Sequence, residues 1–264
     1  MKTKIPDTLK ADLPDNQWGK LLGATPVIMT VIATLLAGLA SSEMTKAQYE
    51  RAYAAQLQSR AGDQWAFFQA KRLRGEMQRD TYEILAAQGG NTAAVEDAPK
   101  PPPAPELAPE IAAALKAVAD DAPPETLQPL LLRAKADMIV AAQRTARDQT
   151  VAYDAITTPL LKQIVQSGSA LARLRFNASR YDYEAQLNAT LARLYELQVH
   201  QGNFSAERHH NRSQRFFLGM LAAQMGVIIS TLAMAAKQRN LLWGLAAGAG
   251  VIAIAFAVYV YLYV

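Results

Sequence analysis

The chain contains no cysteine, which removes disulfides, thiolate metal sites and cysteine nucleophiles together. Histidine is scarce, confined to His200, His209 and His210. Charge is absent by stretch: Leu21 to Ala40, Phe216 to Ala236 and Leu241 to Val264 hold no Asp, Glu, Lys or Arg, in runs of 20, 21 and 24 residues. Each run is long enough to cross the hydrocarbon, which takes about 20 apolar residues. A helix buried all round in a soluble core is also apolar, but three such runs in one chain point to a bilayer. Proline is missing from Ser41 to Gln88 and from Ser169 to Arg215, so nothing in either segment denies the backbone its helical hydrogen bonds. Glycine-rich phosphate loops, serine elbows and zinc helices are missing too.

What is present predicts an all-α membrane protein with three transmembrane helices and a long antiparallel, coiled-coil-like extramembrane region. A polar tail, residues 1–20, ends at Trp18 and Lys20, an aromatic and a cation suited to the headgroup level. The first span is 21–40; it follows too long a polar tail and is itself too long to be a secretory signal. A long amphipathic helix continues it over 41–88. Residues 89–110 carry Pro99, Pro101, Pro102, Pro103, Pro105 and Pro109 and read as a semi-rigid or disordered linker, with residues 91–104 mobile and without an essential contact. Short helices fill 111–168, at about 109–118, 125–149 and from Pro159 onward. A long return helix occupies 169–215, followed by the span 216–236, a short basic loop at 237–240 and the span 241–264.

Contact surfaces follow from spacing. Trp65 and Phe68 lie on an apolar stripe in the first long helix, with Ala66, Ala70, Leu73 and Met77 beside them. Tyr183, Leu187, Leu191 and Leu194 share one face of the return helix. The two stripes are expected to meet, within or between subunits. In the spans, Gly219 and Ala223, Gly226 and Ser230, and Gly244 and Gly248 repeat the small-xxx-small spacing that lets helix backbones approach. Gln224 sits mid-span with no charge near it, so its amide is expected to bond to another helix. Tyr259, Tyr261 and Tyr263 form an interfacial belt.

The histidines invite a metal reading that spacing does not support, because adjacent histidines on a helix point about 100° apart and no fourth ligand is indicated. With Arg208, His209, His210, Arg212 and Arg215 together just before a span, a headgroup-facing basic collar is the better reading. Asp63 to Arg72 mixes aromatics with cations, as single-strand binders do, yet one helix with Trp65 and Phe68 inward yields the same string. The net charge of +4 is spread along the chain, so no nucleic-acid domain is expected. Sequons at Asn177, Asn188, Asn203 and Asn211 read as incidental on helices. Lys2, Lys4, Lys10 and Lys20 share a side with Lys237 and Arg239; the two cations in a four-residue loop place that side in the cytoplasm and residues 41–215 outside it.

Asp63-Gln64-Trp65 with Gln69-Ala70-Lys71, then Arg175-Phe176-Asn177, Tyr181-Asp182-Tyr183-Glu184, Gln198-Val199 and Arg215-Phe216-Phe217 with Met220 to Gln224, resemble an uncharacterised bacterial membrane-protein family. That family is catalogued only as a domain of unknown function, with one span before and two after a helical region. The resemblance implies bacterial origin and a place in the inner membrane, and supplies no activity. The expected function is a non-catalytic scaffold or accessory subunit, embedded in the lipid bilayer and assembling with itself or with other membrane subunits, with no cofactor and no small-molecule substrate. One rival is an oligomeric channel whose pore is lined by Gln224, Ser230 and Thr231. Another is a lipid-active enzyme using Asp182, Glu184 or the histidines, for which no carboxylate pairing or metal spacing speaks.

Overall fold

The computed structural model describes residues 17–89, 97–100, 107–235 and 239–263. Among these there are six helices and no strand: α1 (Gln17–Ala87), α2 (Pro109–Ala119), α3 (Pro124–Arg133), α4 (Ala136–Gln166), α5 (Ala170–Ala235) and α6 (Arg239–Tyr263). The protein is all-α, and α1, α5 and α6 each contain a stretch long and apolar enough to cross a membrane. Most of the polar tail, much of the linker and Lys237 with Gln238 lie outside the described residues. The chain divides into two compact units, one of residues 1–50 with 205–264, the other of residues 51–204.

The first unit packs the apolar parts of α1, α5 and α6. Met29, Ala33, Leu36 and Ala40 meet Phe216, Ala223, Ala253 and Val260, and the two longer helices run antiparallel, since Leu36 lies at Gly219 and Ala40 at Ser213. Many large side chains nevertheless face outward: Val27, Leu35, Phe217, Leu221, Ile228 and Val251 are all exposed. In water that pattern would be costly, but in lipid the hydrophobic effect does not act between helices and close packing decides.

The second unit is built around α5, which is covered on two sides. Toward α1, Leu57 and Ala61 cluster with Tyr195 and Val199. On another face Leu194 and Leu197 join Ile111, Ala114, Leu131, Ala134 and Ile139 of the α2 to α4 segment. The helices stop where the backbone is made to turn: Gly89 and Gly168 adopt φ of +91° and +72° just past α1 and α4, values that glycine takes without a Cβ penalty.

Three boundaries differ from expectation. A single helix was expected at about 125–149, but α3 ends at Arg133 and α4 starts at Ala136. There the Gln201 side-chain amide donates to the carbonyls of Leu131 and Ala134, so a tertiary partner satisfies the helix end and no glycine is needed. Pro159 lies inside the 31-residue α4 rather than at a helix start; the carbonyl its ring frees belongs to Ala155, an exposed position open to water. Arg239 and Asn240 belong to α6, not to a loop.

Candidate functional site

The segment Arg180 to Glu184 of α5 reaches both α1 and α4. Glu184, only 4% exposed, accepts from Lys71 Nζ of α1 at 2.9 Å and from Arg180 Nε at 2.6 Å. Arg180 also reaches Asp154 of α4 at 3.7 Å. Asp182 pairs with Arg79, and its Oδ1 would lie 3.0 Å from a Cβ placed on Gly75. Tyr183 meets Tyr153 of α4 edge to face, with ring centroids 6.2 Å apart. Burial pushes the Tyr153 phenol well above its ordinary pKa, and the Glu184 charge adds to the effect, so it stays protonated at physiological pH. Six charges and two tyrosines thus fasten α1, α4 and α5 together. Both carboxylates considered as acid–base groups, Asp182 and Glu184, are spent on cations in that fastening.

The two predicted stripes do not meet as a pair. Trp65 Nε1 donates to Glu196 Oε1 at 2.7 Å, and its ring stands edge to face with Phe68, centroids 5.4 Å apart. On α5, Leu187, Leu191 and Leu194 are buried, but Leu194 faces the α2 to α4 cluster and Tyr183 faces Tyr153. The face toward α1 carries smaller side chains, Ala178, Ala185, Ala192 and Val199, spaced seven apart. Along α1, Ala33, Ala40, Ala47, Ala54 and Ala61 are all buried at the same spacing, and in the second unit Ala61 clusters with Val199. That heptad of alanines is visible in the sequence and was the signal for which faces pair; large residues drew attention from it.

The linker expectation needs a like correction. Asp97 binds Arg175 through both oxygens, at 2.7 and 3.3 Å, the Ala98 amide donates to Ser179 Oγ at 2.8 Å, and Ala98 is buried. Proline-rich composition hid this because the docking uses one small apolar residue and a charge pair. The Arg175 guanidinium holds the Asp97 carboxyl below its usual range despite some burial. A groove of about 400 Å³ beside it is lined by Asp97, Pro99, Leu160, Gln163, Ile164, Ala172 and Phe176.

The collar divides. His209 turns inward, with Nδ1 2.6 Å from Glu43 Oε2, and Lys46 Nζ donates to the other Glu43 oxygen at 2.7 Å. Glu43 is 8% exposed; burial raises its pKa, but the bonds from Lys46 and His209 outweigh that and leave it below the ordinary value. One turn on, Ser213 donates to the Ala40 carbonyl at 2.7 Å. Gln214 bonds His210 at 3.0 Å, Arg208 is exposed, and Arg212 and Arg215 are half-buried. Among the described residues no three His, Cys, Asp or Glu side chains could hold a metal ion. Asn188 is buried with its amide bonded to the Glu184 carbonyl, out of reach for glycosylation.

Within the spans, Gly226 and Gly250 form a socket for Met29: a Cβ at Gly226 would strike Met29 Cε, and one at Gly250 would lie 2.7 Å from its sulfur. Gly219 lies against Leu36, and Ala223 and Ser230 are buried. Gly244 and Gly248 meet nothing within 4 Å, so their predicted packing role passes to Gly250. Ser230 faces inward and bonds the Val227 carbonyl, whereas Gln224 and Thr231 face outward. The three residues do not share one face of α5.

A family model described as "Domain of unknown function (DUF4337)" matches residues 18–160. No curated protein and no solved structure matches the chain.

Proposed function

Since the chain belongs to the DUF4337 family, a domain of unknown function, we propose that it is a membrane-anchored, non-catalytic helical scaffold or accessory subunit. It self-associates or joins a larger complex in the bacterial inner membrane, with residues 41–215 on the extracytoplasmic side. One observation carries this reading: α1 bears a second apolar stripe, at Ala66, Ala70, Leu73, Met77 and Ile84, on the side away from its alanine seam. Leu73 and Met77 are each 59% exposed and Ile84 58%. Steps of four, three and four place the first four on one line along the helix, as a coiled-coil partner would require. Scattered exposed leucines are ordinary; a line of them over several turns marks a contact surface.

The test is a Leu73→Gln, Met77→Gln double variant, purified beside the parent from detergent-extracted membranes. Both side chains are exposed, so melting should stay close to that of the parent, while the parent's companion chains or higher mass are lost. The proposal falls if the parent itself runs as a lone chain, or if the variant retains every companion.

A further inference from the structure

The polar side chains within the three uncharged runs are few, and the chain settles nearly all of them itself. Thr25 receives the Trp243 indole proton at 3.1 Å. Thr30 and Thr34 donate to the carbonyls four residues back, each at 2.8 Å. Ser230 and Thr231 donate to carbonyls three residues back, at 2.9 and 2.8 Å. Gln224 is the exception: among the described residues its amide bonds to nothing, and it faces outward from α5. It lies nine residues after Arg215, about 13 Å along the helix, too deep for a side chain of its length to reach the headgroups. Lipid offers an amide no hydrogen-bond partner.

We propose that Gln224 of one copy pairs with Gln224 of a second copy of this chain, side by side through the exposed face of α5. The rest of the first unit packs on another face of that helix, through Phe216, Ala223 and Gly226, about 80–160° round from Gln224, so a partner for the exposed amide must come from outside the chain. Two copies inserted with the same orientation are related by rotation about the bilayer normal, which puts residue 224 at equal depth in both. An amide carries donors and an acceptor at once, so it is complementary to its own image and needs no second residue type. Phe217, Ile228 and Thr231 lie within about 40° of Gln224 around the helix, and all are exposed; they would flank the contact. This inference rests on the assembly reading above and names the partner.

The absence of native cysteine makes the test direct. Single variants Phe217→Cys, Ile228→Cys, Leu218→Cys and Met225→Cys of the full chain are purified, placed in phosphatidylcholine vesicles and oxidised with copper phenanthroline. Positions 217 and 228 should give a covalent dimer. Positions 218 and 225, equally exposed but about 100–120° from Gln224, should not. Adding Gln224→Leu to Ile228→Cys should weaken dimerisation about 3- to 30-fold, the range for one interhelical polar contact, and Gln224→Asn should keep most of it. Cross-linking on no face, on all faces alike, or unchanged by Gln224→Leu overturns the proposal. A foreign membrane chain captured at position 228 in cells, with no dimer from the purified chain, overturns it while leaving the scaffold reading intact. No assembly of any kind sinks both.

Discussion

Glu184 is held between Lys71 and Arg180 with little access to water, and removing one member of such a set strands the others. Glu184→Ala should cost about 3 kcal/mol, the low end for a broken buried pair because both cations are partly exposed. Arg72→Ala, which breaks the exposed pair with Glu76, should change stability by less than about 0.5 kcal/mol. Thermal melting in detergent, followed by circular dichroism, separates the two. Gly75 is tested the same way. A Cβ there lies 3.4 Å from the Ala178 carbonyl and from Tyr181 Cβ, so Gly75→Leu should lose about 1–3 kcal/mol through overpacking, although leucine is the better helix former. Acid should weaken the fold through Glu43 and Asp97. Both carboxyls titrate lower in the folded chain than in the unfolded one. Their contribution is therefore complete above the ordinary carboxylate range, about pH 4, and is lost as pH falls through the lower folded values. A melting temperature that fell between pH 8 and 6 instead would contradict that assignment.

At the scale of the element, the seam of α1 is made of alanines seven residues apart, and close approach of the helices depends on their size. Ala61→Leu, at a position 1% exposed, should destabilise the second unit by about 1–3 kcal/mol. Ala52→Leu, at an exposed position, should change little; urea titration of each variant checks the contrast. Much of the helical architecture was legible because it is written in absences: no charge across three spans, no proline across two long helices. What escaped is what depends on contacts distant in sequence. The break after α3 has no local signal because its cap, Gln201, lies some 70 residues away. Pro159 looks like a helix start, yet α4 runs through it, with the freed carbonyl at the exposed position Ala155. Leu194 shares its spacing with Tyr183, Leu187 and Leu191, but periodicity assigns a residue to a face and not to a partner, and α5 has partners on two faces. Asp97 and Ala98 docked where composition suggested only a tether, and Gly250 took the packing role expected of Gly244 and Gly248.

For the whole molecule, the proposed orientation rests on Lys237 and Arg239 between the last two uncharged runs and is open to direct test. In the cysteine-free chain, Ser42→Cys and Gln238→Cys probed on intact cells with a membrane-impermeant thiol reagent should label only at position 42; labelling only at 238 would invert the topology. The larger claim is that this chain works by assembly. A few buried or half-buried ion pairs join its own helices, while an apolar line on α1 and the Gln224 amide on α5 face outward. Native mass spectrometry of the full chain, released from mild detergent after extraction from its own membrane, tests this most directly. The account predicts a mass of two or more copies, or of this chain with a defined membrane companion; a single 28.7 kDa chain without companion would contradict it.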